Sequence, residues 1–106
     1  MGATDIIKTL ADKNSLRTFQ SKPVTTIREH IIQSGPGLYI AGLDYHVGFL
    51  YNDGQEVYFI HSNYIQRAGV VKEIVTNSVA FAHSQFRITG KLNTDAVLLH
   101  QWLGIN

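Results

Sequence analysis

Asp53-Gly54, set between the runs Tyr45 to Tyr51 and Val57 to Ser62, constrains this chain more than any other feature. Asp-Gly between β-branched and aromatic residues is a strong short-range hairpin signal. With Asp53 and Gly54 as the two loop residues of a type I′ turn, the pairing follows. Asn52 then faces Gln55, Leu50 faces Val57, Gly48 faces Phe59 and His46 faces His61. Directly opposed residues share a side of the sheet, with Cβ atoms roughly 4.5–5.5 Å apart. Turn chemistry alone therefore brings two imidazoles together. The opposite side collects Tyr45, Val47, Phe49, Tyr51, Tyr58 and Ile60, and this apolar layer is expected to be the core side. On the histidine side, Gly48 is expected to leave open space beside the ring.

The rest of the chain supplies partners for this hairpin. Thr4 caps a short helical stripe of Ile6, Ile7 and Leu10, which Lys13-Asn14-Ser15 ends. Leu16 to Lys22 is polar and irregular and reads as a loop. Pro23 opens a helix over Val24 to Ser34, with Thr26 and Glu29 at capping-box spacing and Gly35-Pro36-Gly37 as its stop. Leu38 to Ala41 reads as a short buried strand. Ser62 to Gly69 is a polar connection with Tyr64 and Ile65 as anchors, and Val70 to Thr76 is a strand. Asn77 to Gln85 is ambiguous, with Val79 and Phe81 able to pack inward. Phe86 to Leu92 is a last strand. Asn93-Thr94-Asp95 caps a final helix carrying Leu98, Leu99, Trp102 and Leu103, closed by Gly104. The expected class is α+β, a mostly antiparallel sheet built on a central hairpin with flanking helices, in a single domain spanning residues 1–106.

Composition narrows the function. The formal net charge is +1, and Lys and Arg are not gathered on one face, so the footprint of a nucleic-acid binder is missing. No apolar run approaches membrane-spanning length, and the first residues lack the basic-then-apolar pattern of a signal peptide. There are no cysteines, which removes thiolate metal sites and thiol nucleophiles from the chain itself. Charged residues make up only 16% of the chain against an ordinary value of about 25%, as in a domain that hides part of its surface in a partner.

Tyr45-His46-Val47-Gly48-Phe49-Leu50-Tyr51, a turn, and Val57-Tyr58-Phe59-Ile60-His61-Ser62 together resemble the histidine hairpin of the NlpC-type, papain-like cysteine peptidases. The resemblance covers Leu38 to Ser62, about a quarter of the chain. It implies a bacterial amidase acting on cell-wall peptides, with His46 as the general base and His61 as the residue that orients it. The sheet would then be the sheet half of a papain-like domain. The family's nucleophile, a cysteine opening a helix on the same sheet, has no counterpart here. A base alone has no thiol to activate. The resemblance thus implies a truncated product, one part of a split enzyme, or a degenerate relative, inactive on its own. It also implies that the helix covering the sheet beside the base is missing. Leu50, Val57 and Phe59 would then face water, and the chain would self-associate or recruit a complementing chain.

A metal site needs three or four ligands, and only His83 and Asp44 are at hand, without recognisable spacing. His30 and His100 fall on helices and read as solvated. Ser62 alternates to the face opposite His61, and Ser34, Ser78 and Ser84 lack a nucleophile-elbow context. The tyrosines read as core and rim. No cofactor is expected. The alternative from a different class is a non-catalytic α+β interaction module that binds a partner through the histidine face.

Overall fold

Six antiparallel strands and two helices build the fold of the computed structural model, which describes residues 11–44, 46–63 and 69–92. In chain order these are β1 (Arg17–Gln20), α1 (Val24–Ser34), β2 (Gly37–Gly42), β3 (Val47–Asn52), β4 (Val57–Asn63), β5 (Gly69–Ile74), α2 (Val79–His83) and β6 (Phe86–Lys91). The sheet order is β1-β6-β2-β3-β4-β5. The class is α+β, as the alternation and turn residues imply. The expected helices near Thr4 and Asp95, and the anchors Tyr64 and Ile65, lie outside the described residues.

Helix α1 spans Val24 to Ser34, as the sequence predicts. Its N-cap is Pro23 and no side chain caps it, so Thr26 and Glu29 do not form the expected capping box. Gly35 ends it with φ 102°, a conformation glycine adopts without steric cost. Ile27 and Ile31 are fully buried and pack with Tyr39, Ala41, Leu43, Leu50, Val57, Phe59, Val75 and Phe81 in the larger core cluster. The buried Asn52 pins the C-terminal end of α1 to β3, donating through Nδ2 to the carbonyls of Ile31 and Gly35, each at 2.9 Å. Arg28 adds a bond to Glu56 at 2.7 Å. On the same face, towards β1, buried Arg87 donates to the Lys22 and Phe81 carbonyls and ties both helices to β6.

Three expectations are corrected. First, Arg17–Gln20 is not a loop but an edge strand paired with β6. Its side chains are mostly exposed, so it carries none of the alternation that marks a half-buried strand. Second, the larger core lies on the histidine side of the hairpin, not on the side of Val47, Phe49, Tyr51 and Tyr58. Those residues are half-buried, and among the described residues a smaller cluster of Ala11, Ile40 and Ile88 forms there, packed with Leu16, Val47 and Phe49. Third, Leu50, Val57 and Phe59 do not face water but are completely buried beneath the helices. The strand expected over Val70 to Thr76 ends at Ile74, and Val75–Asn77 is a 3₁₀ turn; in the ambiguous stretch that follows, α2 buries Phe81 and leaves Val79 65% exposed.

Candidate functional site

The hairpin exists, but its turn is displaced by one residue. Asn52 pairs with Val57 and Leu50 with Phe59, and Asp53 N donates to Glu56 O, so the loop residues are Gly54 and Gln55. Gly54 has φ 100° at the first loop position, where type II′ turns favour glycine. Side chains hold the turn. Asn52 Oδ1 accepts from Gly54 N at 2.8 Å, and Asp53 Oδ1 accepts from Gln55 N and Glu56 N at 2.9 and 2.8 Å. Moving the loop by one residue shifts the pairing by two. A shift of two preserves the face of every side chain, whereas a shift of one inverts it. His46 and His61 therefore share a face as expected, although they are diagonal rather than opposed.

Diagonal neighbours lie within reach of aromatic and long side chains. His46 Nε2 and His61 Nδ1 are 2.8 Å apart, with the rings nearly perpendicular at 84°. On the far side, His61 Nε2 is 2.5 Å from Glu73 Oε2. Glu73 stands on β5 opposite Phe59, again one diagonal step from His61. A three-residue relay thus runs obliquely across three adjacent strands. The His61 side chain is only 6% exposed and that of Glu73 28%, while His46 at the outer end is half-buried. Sequence reasoning missed Glu73. Its position two residues beyond the partner of His61 on β5 becomes meaningful only once that pairing is known.

Gly48 is not flanked by open space. A Cβ built there would lie 2.6 Å from Phe59 Cε1 and 2.8 Å from the Ile60 carbonyl oxygen. The Phe59 ring fills the space, lying parallel to His61 with centroids 4.3 Å apart and edge-on to His46 at 6.0 Å. Glycine is required because an aromatic ring lies flat across the strand. The backbone of His46 is set from the other direction. Leu43 N donates to His46 O at 2.7 Å, and both Asp44 carboxylate oxygens accept from Gln85 N and Phe86 N. These two bonds hold the Asp44 carboxyl below its ordinary pKa. Asp44 is thus engaged in fastening the β2–β3 turn to β6, and His83 stands exposed at the end of α2. Among the described residues, no three metal-ligating side chains converge.

With Glu73 ionised and His61 neutral, one proton arrangement fits the relay. An ionised carboxylate only accepts, so His61 Nε2 carries a proton. Neutral His61 then accepts at Nδ1, and His46 must donate from Nε2. That leaves the lone pair of His46 at Nδ1, the form a general base needs. Burial, then the charge His61 carries when protonated, lowers the His46 pKa from its ordinary 6.5. At neutral pH the ring is therefore in its basic form. Because the folded pKa is depressed, the unfolded chain takes up this proton first as the pH falls. The associated stability is complete above 6.5 and is lost as the pH falls through the folded midpoint. An NMR titration of His46 is expected to give a midpoint below 6.5, and a midpoint above it would contradict the buried neutral ring.

No hydroxyl nucleophile accompanies this base among the described residues. Ser78 caps α2, while Ser34 and Ser84 donate to the carbonyls of His30 and Ala80. No family model matches the chain, and neither do any curated protein or solved structure.

Proposed function

We propose that this chain carries the base-bearing part of a papain-like, NlpC-type amide hydrolase, with His46 as base and then acid, His61 as its orienting partner and Glu73 behind them. The observation that supports this reading is the relay Glu73–His61–His46, in which, among the described residues, Nδ1 of His46 is left unengaged. In the completed site, a cysteine thiol gives its proton to that nitrogen and the thiolate attacks the amide carbonyl. The imidazolium then returns the proton to the leaving amine. The thiol comes from another segment or chain, since none is present here. The substrate class, an amide of a bacterial cell-wall peptide, follows from the hairpin's resemblance.

The purified chain alone is expected not to hydrolyse cell-wall peptides. Turnover that disappears in His46→Ala would instead require a serine or a metal. The decisive experiment recovers the chain with its bound polypeptides from the cells that make it, then adds a thiol-directed electrophile near pH 5. Ordinary thiols, with pKa about 8.5, scarcely react there, whereas a thiolate paired with an imidazolium does. Labelling of one cysteine, lost in His46→Ala, is expected. Recovery of the chain with no such cysteine would overturn the hydrolase reading in favour of a partner-binding module.

A further inference from the structure

Arg87 stands on β6 opposite Phe19 of β1, on the side of the sheet that the helices cover. An apolar side chain would fill such a position at lower cost than a charge. Arg87 is 3% exposed, and among the described residues it belongs to neither ion pair, Arg28–Glu56 or His61–Glu73. Nη1 donates to Lys22 O just before α1, and Nη2 donates to Phe81 O in α2. Nε finds no acceptor among the described residues. Buried polar groups are ordinarily hydrogen-bonded and buried charges paired, so anchoring the helices accounts for only part of this side chain. Carbonyls are dipoles and supply no counter-charge. Burial lowers the Arg87 pKa, and the field of Asp44 opposes that fall. Asp44 is exposed, however, and both its carboxylate oxygens accept from the backbone of Gln85 and Phe86.

We propose that Arg87 is the counter-charge of a site for a small oxyanion, the phosphate or carboxylate group of a ligand. Arg87 borders a cleft of about 320 Å³ between the start of α1 and the end of α2. Ser21 and Lys22 line it from one side and Ala82 and Gln85 from the other, and no carboxylate lines it. The exposed Lys22 ammonium is already solvated and adds only long-range attraction. A water molecule would satisfy a donor but leave the buried charge uncompensated. An oxyanion brings the opposite charge together with paired acceptors that match the guanidinium fork. Nε is sealed from solvent, so the ligand engages it as the side chain turns toward the cleft. The cleft and the relay share no residue, so this site stands or falls independently of the hydrolase reading.

Titration of the whole chain with inorganic phosphate, and separately with acetate, followed by ¹⁵N–¹H NMR, tests the assignment. Saturable shifts are expected at the Arg87 Nε–H and at the backbone amides of Lys22 and Gln85. Tighter binding of phosphate would identify a phosphate ligand, and tighter binding of acetate a carboxylate. Arg87→Met should abolish the shifts, but it also removes the tie between the helices. Ala82 is exposed on the rim of the cleft, so Ala82→Glu should leave the fold intact. Its carboxylate would repel the anion and occupy the guanidinium, weakening binding by about tenfold or more. Ala82→Gln, of the same size without the charge, should bind as the native chain does. Absence of saturable shifts with either anion would overturn the proposal. So would shifts undiminished in Ala82→Glu, or equal weakening by both Ala82 variants, which would make the effect steric.

Discussion

Phe59→Ala is expected to lower the unfolding free energy by about 3–5 kcal/mol, the usual cost of emptying a fully buried phenylalanine site. For a domain holding about 5–15 kcal/mol in total, that brings the chain close to unfolding. The size of the effect comes from the ring's position. Phe59 meets Phe81 edge-on at 4.8 Å, lies under His61 at 4.3 Å and occupies the space that Gly48 leaves. No neighbour on the backbone side can collapse into the hole, because strand β3 is held by its pairing to β2 and β4. Urea unfolding would measure it, with Phe59→Leu as a smaller truncation that keeps most of the volume. A loss below about 1 kcal/mol in Phe59→Ala would show that the ring is not the support described, since that is the size of an average substitution.

Glu73→Gln is expected to release the proton arrangement of both histidines while leaving the fold intact. A carboxamide both donates and accepts, so the requirement that His61 Nε2 carry the proton is lifted. His46 should then divide between tautomers instead of holding its proton at Nε2. Nitrogen chemical shifts of the two rings would show this directly. In the native chain His46 should be the Nε2–H form, and finding the proton at Nδ1 would refute the relay. Glu73 is partly exposed, so the change in stability should stay within about 1 kcal/mol. In a completed enzyme the consequence would be much larger, because a base held in the wrong tautomer costs on the order of 10⁴ in kcat.

These predictions rest on parts of the fold that were unequally legible. Pro23 and Gly35 bracket α1 because one fixes φ and the other adopts φ 102°, and both signals are local. The hairpin was legible from Asp53-Gly54, but its loop position was not. Asn52 and Asp53 spend their side chains on the turn's own N–H groups, which moves the loop to Gly54-Gln55. The shared face of His46 and His61 survived because parity, not register, decides it. The side facing the core was misread because both faces of the hairpin are apolar in sequence. What separates them is tertiary: Asn52 bonds the end of α1, and Ile27, Ile31 and Phe81 fill the side where Gly48 admits the Phe59 ring. Glu73 was invisible for the same reason, since only the β4–β5 pairing brings it to His61. Edge strand β1 has no hydrophobic period to announce it.

The sheet order has a consequence for how the molecule assembles. Strands β2, β3, β4 and β5 are neighbours both in sequence and in space, each joined to the next in the meander. The β1–β6 pair instead joins residue 17 to residue 89, 72 positions later. Closing a longer loop costs more chain entropy, and topologies dominated by distant pairings fold slowly. His46, His61 and Glu73 all fall within the part made of short-range pairings. The order of closure therefore favours the relay forming early, on a meander that needs no contact with the chain's first strand. The β1–β6 pairing comes into being only with the last and slowest closure.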